Sequence, residues 1–524
     1  MSKKIPEKIV RNTLFNGIGY LWSMLIALLL TPYIIQRIGI ARYGIWATLS
    51  VLTGYFGLLD FGFGQSFERY IAEYYAKKDS TRINQTISVG ITLYMLLGVL
   101  FLLAGIFFTN PLLSLFRIPL SLYEEASFLF QWGLIIFAFT NIFGVFSGVL
   151  RGFQRMDLTN SILIFSTTLN AIGVLFFLRS GFGLKGLVVN QLLTSSASGF
   201  LFLASSFHIF PSLLLRPFCF TKNLFKKIAS FSIKRWVTMI EYIILFPTDK
   251  IIISHFLGIH IVGFYQIGYL LADRALSFIQ LINSALIPAS AELHAYKAHN
   301  RLQQLYFRST KYLICLGIPL FLFLFSMADP LLMLWMKKPL PLAANVLKIF
   351  SLSFIAVIPA LSAATIAIGM EHPEIQMIGN TWQAGIKLLF TLILVTKIGY
   401  WGVILPTLFS SIIAVFYISS RFHRVLSISF RTFAQQTYIL QISLLSLLIT
   451  FLFFSIHRIF FTPYYHLLPR SLQAGILGME TLVFMALHAF IFIRNFFSVS
   501  DREMITQLFR FPLRILHNRR KSTL

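Results

Sequence analysis

Apolar stretches of about twenty residues, the length at which a helix crosses a bilayer, follow one another along almost the whole chain, about fourteen in all. Nothing constrains the fold more, because a segment in hydrocarbon has to satisfy every backbone N–H and C=O within itself, and a helix does so. The expected architecture is therefore all-α and polytopic. Composition agrees: 57% of residues are hydrophobic and only 12% charged, with a mean hydropathy of +0.78, which excludes a water-soluble domain. The expected spans are 13–35, 43–63, 86–108, 128–150, 158–178 and 184–207. A second set follows at 236–256, 261–289, 312–334, 342–368, 375–395 and 400–420, and two more lie at 438–456 and 472–493.

The chain also echoes itself at nearly half its length. Ile38-Gly39-Ile40 with Gly44-Ile45-Trp46 returns 219 residues later as Leu257-Gly258-Ile259 with Gly263-Phe264-Tyr265. Arg151-Gly152-Phe153-Gln154 with Asp157 returns 217 later as Ile368-Gly369-Met370-Glu371 with Glu374, and Gly183-Leu184-Lys185-Gly186 returns 216 later as Gly399-Tyr400-Trp401-Gly402. Three echoes in one order imply two pseudo-symmetric six-helix lobes, a build common among secondary transporters. An even number of spans per copy relates them by an axis along the membrane normal. The expected divisions are an N-lobe over 1–207, a cytoplasmic linker over 208–235, a C-lobe over 236–424, and two extra helices with a basic amphipathic tail over 425–524. The repeated glycines read as tight turns, architectural rather than chemical.

With 44 Lys and Arg against 18 Asp and Glu, the net charge is +26. Most of these cations fall in the segments that an N-in, C-in arrangement places inside, as short cytoplasmic loops require, and anionic membrane lipids would be their partners. Nucleic acid is not implied, since no basic run sits on a domain able to fold outside the bilayer. The first apolar stretch is too long for a cleaved signal and lacks its small-residue site. Only two cysteines occur, Cys219 and Cys315, so no disulfide framework is expected. The chain has no G-x-x-x-x-G-K-[ST] loop, no H-E-x-x-H and no paired-cysteine metal motif. Neither the linker nor the tail is long enough to bury a catalytic core. Not an enzyme, no cofactor and no metal is the resulting expectation.

Leu30-Thr31-Pro32-Tyr33-Ile34-Ile35, Tyr43-Gly44-Ile45-Trp46, Leu58-Leu59-Asp60-Phe61-Gly62, Glu68-Arg69-Tyr70-Ile71-Ala72 and Arg151-Gly152-Phe153-Gln154-Arg155 resemble the opening of the polysaccharide flippases. These are the Wzx-type branch of the multidrug/oligosaccharidyl-lipid/polysaccharide exporter superfamily, which also holds the lipid II flippase MurJ and the MATE antiporters. The resemblance implies a flippase of the bacterial inner membrane, moving an undecaprenyl-pyrophosphate-linked oligosaccharide from the cytoplasmic to the periplasmic leaflet by alternating access. The cycle is expected to be driven by H⁺, by Na⁺ or by the membrane potential, which the sequence leaves open, and polysaccharide polymerase and assembly proteins are the expected partners. The alternatives are a lipid II flippase and a cation-coupled drug antiporter.

A pyrophosphate crossing hydrocarbon needs cations facing a wet cavity. Four cations sit inside the expected spans: Lys250, Arg274, Lys387 and Lys348. Each costs roughly 2.5–3.5 kcal/mol at a helix centre, so lipid-facing placement is excluded. Arg274 is the first choice for phosphate because guanidinium binds it bidentately, and Lys387, with Asn380 and Gln383 behind it, is the cleaner cavity residue among the lysines. Lys348, near a span end, reads more readily as structural. Interhelical ion pairs are the rival role for Lys250 and Arg274. A coupling site needs a carboxylate that exchanges an ion, and Asp249, Asp60, Glu241 and Asp273 are the candidates. Asp60 also reads as a helix-end partner of Arg69. Asp249 follows Pro247, which frees backbone carbonyls. Asn141, Asn160, Asn170, Asn190 and Gln191 read as interhelical hydrogen-bonding residues, Glu480 as a contact to the lipid carrier or to a neighbouring helix, and His255 and His260 as interfacial.

Overall fold

The computed structural model describes residues 4–48, 63–215, 224–229, 232, 248–461, 469–499 and 501–502. Among them every regular element is a helix. The first six are α1 (Lys4–Ile38), α2 (Phe63–Ala76), α3 (Ser80–Leu115), α4 (Leu120–Gly152), α5 (Met156–Arg179) and α6 (Gly183–Ile209). Then come α7 (Thr248–Leu257), α8 (Ile259–Asn283), α9 (Leu286–Ala295), α10 (His299–Ser326), α11 (Ala328–Met336) and α12 (Pro341–Gly369). The last are α13 (Glu374–Ile398), α14 (Trp401–Val425), α15 (Phe430–Thr437), α16 (Ile439–Ile456) and α17 (Arg470–Asn495). Twelve segments among the described residues are long and apolar enough to cross a membrane. They match twelve of the fourteen expected spans, and the other two, 43–63 and 236–256, lie largely outside the described residues. The protein is a multi-pass helical membrane protein.

Two expected spans are broken, each by a proline. Pro288 has no N–H to give the carbonyl of Ser284 four residues earlier, and the helix is interrupted there, between α8 and α9. Pro330 stands in the same relation to Ser326, where α10 ends before α11. The remaining interior prolines, such as Pro319 and Pro359, leave their helices continuous.

The duplication is written in the backbone. Left-handed residues recur in pairs: Gly39 with Gly258, Lys78 with Lys297, Arg117 with Lys337, Gln154 with Glu371, and Gly183 with Gly399, at spacings from 216 to 220 residues. Left-handed conformation costs a residue bearing a Cβ roughly 1–2 kcal/mol, so its recurrence at matched helix ends marks a shared design. The closures match bond for bond. Asp79 N–H donates to Tyr74 O at 3.0 Å and Ala298 N–H to Leu293 O at 3.0 Å, while Arg155 N–H donates to Leu150 O and His372 N–H to Ala367 O, both at 2.8 Å. Even the local contact to an acid repeats: Arg155 with Asp157 at 3.1 Å, and His372 with Glu374 at 2.8 Å. Both acids sit in the first turn of a helix, where they favour its positive end.

The chain forms two compact units. One comprises Met1–Arg274 and Asn380–Ser410, the other Ala275–Gly379 and Ser411–Leu524. In the first, the glycines of the opening echo explain themselves. A Cβ on Gly44 would lie 2.3 Å from Ile259 O, and one on Gly263 would lie 2.6 Å from Ile40 O. The helical residues 40–48 and the start of α8 therefore cross with backbone against backbone, each copy's glycine receiving the other copy's isoleucine. Nearby, Ser254 donates to Phe116 O at 2.6 Å and His255 Nδ1 lies 2.8 Å from Leu115 O, so the end of α7 caps the end of α3.

In the second unit, Tyr306 packs against Phe422 and Phe433 and its hydroxyl meets His423 Nε2 at 3.0 Å. Asn283 donates to Leu361 O and to Thr365 Oγ1, fastening the end of α8 to α12. Beyond α17 the chain is anchored by Asp501, which accepts from Lys311 Nζ at 2.8 Å and Tyr312 Oη at 2.5 Å. Lys311 also lies 5.4 Å from the Phe497 ring centroid. Of the expected amphipathic tail, 503–524 lies outside the described residues, as does Cys219, while Cys315 carries a free thiol.

Two outcomes test these contacts. Gly44→Ala or Gly263→Ala forces backbone apart and should cost about 1–3 kcal/mol, seen as a lower thermal midpoint in detergent, whereas Gly133→Ala, with open space at its Cβ, should not. Burial raises the Asp501 carboxyl, but bonds from Lys311, Tyr312 and Ser498 outweigh it and hold the carboxyl well below the usual range. A depressed pKa gives stability that is complete above about pH 4 and is lost only as pH falls toward the folded value. Hydrogen exchange over 496–502 should thus stay slow to pH 4, and Asp501→Asn should speed it at neutral pH.

Candidate functional site

The first unit gathers five of the charged residues singled out in the sequence. Asp249 and Lys250 come from α7, Asp273 and Arg274 from α8, and Lys387 from α13. Asp249, only 2% exposed, accepts from Lys387 Nζ at 2.8 Å and from Tyr265 Oη at 2.5 Å. Lys387 is itself 1% exposed, so the lysine expected to face a cavity is held in a buried ion pair instead. The reason is cost: a buried carboxylate or ammonium is tolerated when each satisfies the other, and the tyrosine supplies a further donor.

Along α8 the residues 265, 269 and 273 stand four apart and share a face. The Tyr265 and Tyr269 rings stack at 6.1 Å between centroids, and Tyr269 Oη donates to Asp273 Oδ1 at 3.1 Å. Two tyrosines thus join two carboxylates in one line: Asp249, Tyr265, Tyr269, Asp273. Neither tyrosine was singled out as a functional residue in the sequence, where Tyr265 stood only in the repeat, although the spacing from Asp273 was there to be read.

Lys250 is 9% exposed and lies within electrostatic reach of both Asp249 and Asp273, with no ion pair to either. Arg274 lies next to Asp273 in electrostatic terms, and its Nε is buried with no hydrogen-bond partner among the described residues. Its backbone carbonyl accepts from Tyr20 Oη at 3.4 Å. Among the described residues of this cluster three cations face two carboxylates, a formal excess of one positive charge.

Beside it lies a second feature. A cavity of about 240 Å³ is lined by Ser23, Thr31, Tyr43, Trp46, Thr167, Asn170 and Gln191 together with aliphatic residues, and carries no formal charge. The Tyr43 hydroxyl lies near Thr31 and feels the charge of Arg274. Three cavity residues occupy the duplicated positions of the charged cluster. Thr31 and Trp46 lie 219 residues before Lys250 and Tyr265, and Asn170 lies 217 before Lys387.

The other candidates are elsewhere. Lys348 is in the second unit, where its Nζ pairs with Asp329 at 2.5 Å in a part-exposed contact. That unit also holds a cavity of about 480 Å³ lined by Asp329, His457 and Arg458 among others. Glu480 is engaged by His457 Nδ1 at 2.9 Å, a neighbouring-helix contact. Asp60 and Glu241 lie outside the described residues. Asn190 donates to Asn170 O at 3.1 Å and to its Oδ1 at 2.8 Å, the interhelical role read from sequence.

Fold and site together define a duplicated, multi-pass helical membrane protein with a charged cluster inside its spans. The family model described as polysaccharide biosynthesis protein matches residues 9–294, and the model described as MatE matches 236–393. The chain belongs to the polysaccharide biosynthesis protein family, within the multidrug/oligosaccharidyl-lipid/polysaccharide exporter superfamily. A provisionally named O-antigen transporter of Shigella flexneri is 21% identical over 265 residues, covering 49% of this chain and 60% of that protein. The alignment thus spans less than two thirds of that relative. The fold is similar to the lipid II flippase MurJ in an inward closed conformation, at 16% identity and a TM-score of 0.74, covering 93% of this chain and 99% of MurJ. It is also similar to an inward-facing multidrug resistance MATE family transporter, at 14% identity and a TM-score of 0.65, covering 79% and 94%.

If Asp249 and Lys387 stabilise each other as described, Lys387→Met alone should cost about 3–5 kcal/mol by stranding a buried carboxylate. Lys387→Met combined with Asp249→Asn should recover most of that loss, read as thermal midpoints of the purified single and double variants.

Proposed function

We propose that the protein is a flippase of the bacterial inner membrane, carrying a lipid-linked oligosaccharide, a surface-polysaccharide repeat unit on undecaprenyl pyrophosphate, from the cytoplasmic to the periplasmic leaflet. The observation that carries the reading is the buried, net cationic cluster of α7, α8 and α13, in which Arg274 keeps a buried Nε without a partner among the described residues. An anionic headgroup is what such a cluster attracts, and guanidinium meets phosphate oxygens in a fork. A drug cation would be repelled by the same excess, which favours the flippase over the antiporter. Membership of the polysaccharide biosynthesis family and the O-antigen transporter relative support the glycan cargo.

Arg274 and Lys250 would hold the pyrophosphate. Asp249 would couple transport to an ion: when the carboxylate takes up H⁺ or Na⁺, its hold on Lys387 weakens, and the released ammonium becomes available to phosphate. Lys348, in its own pair with Asp329, would be structural. Both termini would face the cytoplasm, the two six-span repeats would form the moving lobes, and polymerase and assembly proteins would receive the product.

Reconstituted into proteoliposomes with undecaprenyl-pyrophosphate-linked oligosaccharide, the wild type should move the lipid between leaflets. Arg274→Ala should slow it by about ten- to a hundredfold, the value of one charge-assisted hydrogen bond, with the variant folded as judged by its thermal midpoint. Export of organic cations without lipid movement would overturn the proposal.

A further inference from the structure

We propose that the uncharged cavity of about 240 Å³ in the first unit is a sugar subsite, holding the glycan ring joined directly to the pyrophosphate. The inference deepens the reading above and rests on it.

The lining chemistry is that of a carbohydrate site. A pyranose offers hydroxyls that both donate and accept, and an apolar face of C–H groups that packs on an aromatic ring. The cavity presents the indole of Trp46 and the ring of Tyr43, and two amides with capacity to spare. Asn170 accepts from Asn190 through its oxygens, yet its Nδ2 donates to nothing among the described residues. Gln191 donates weakly from Nε2 to Ser195 at 3.3 Å, and its Oε1 accepts from nothing among them. One free donor and one free acceptor on neighbouring helices, α5 and α6, are suited to adjacent ring substituents. Thr31, by contrast, is already engaged with Ala27 O at 2.7 Å.

Position argues the same way. Tyr43 lines the cavity and lies in the field of Arg274. In a glycosyl pyrophosphate the first ring is one oxygen away from phosphorus, so that ring would lie on the Tyr43 side of a phosphate held by Arg274. Size then limits the occupant. Cavities for drug-sized ligands run from roughly 300 to 1,000 Å³, and this one is smaller, with room for one ring.

Native mass spectrometry of the purified full chain tests the assignment with three probes: undecaprenyl pyrophosphate, and the same lipid bearing one N-acetylglucosamine or one galactose. The wild type should bind at least one sugar-bearing probe about tenfold more tightly than the bare lipid, the value of one or two hydrogen bonds. Gln191→Ala and Asn170→Ala should each erase that preference and leave bare-lipid binding within about twofold, which also shows that they are folded. Arg274→Ala should weaken all three probes alike. A wild type indifferent to both sugars, or pocket variants that weaken bare and glycosylated lipid equally, would overturn the subsite. Pocket variants that lose the sugar preference while Arg274→Ala leaves bare-lipid binding unchanged would keep the subsite and overturn the phosphate role of Arg274. A wild type that binds none of the probes would overturn the transport reading and the subsite with it.

Discussion

A charge inside hydrocarbon has to be answered by another charge, and the arrangement of the first unit follows from that requirement. Asp249 cannot be left as a bare carboxylate at 2% exposure, so Lys387 must reach it from a distant part of the chain. That single pair ties α13 to α7, and through Tyr265 it ties both to α8. The remaining cations are then in excess. Among the described residues, Lys250 and Arg274 have Asp273 as the nearby carboxylate that Lys387 does not already engage, and an anion is the natural complement of what is left.

Close backbone contact does in the apolar parts what ion pairing does in the polar ones. Lipid tails are as apolar as leucine, so helices in a bilayer gain little by hiding side chains and much by approaching tightly. Gly44 and Gly263 permit that approach, and each accommodates the other copy's isoleucine. The opening turn of each copy, closed by left-handed Gly39 and Gly258, sets up the crossing.

Spans and duplication were legible because both depend on one-dimensional patterns: apolar length, and recurrence of glycine at a fixed spacing. Where the helices break was less visible, since Pro288 and Pro330 interrupt their helices while Pro319 and Pro359 do not. The charged residues were legible as a set, because an ionised side chain in an apolar run stands out. Which of them pair was not, because Asp249 and Lys387 are 138 residues apart and no local spacing joins them. Lys387 stood out for its amide neighbours on α13, yet its partner came from α7. Asn170 and Gln191 were visible only as amides in spans, and their shared cavity depends on how α5 meets α6.

The matched positions of the cavity and the cluster bear on why this protein is one chain and not two. Had the same bundle been built from two identical subunits, any residue placed at the position of Lys387 would appear twice, and so would Asp249 and Lys250. The assembly would be wholly charged or wholly neutral at those sites. Fusion of the copies releases them from that symmetry: Thr31 can stand where its counterpart is Lys250, Trp46 where it is Tyr265, and Asn170 where it is Lys387. A molecule with unlike ends, ionic on one side and hydroxylated on the other, is better matched by a container whose two copies are free to differ.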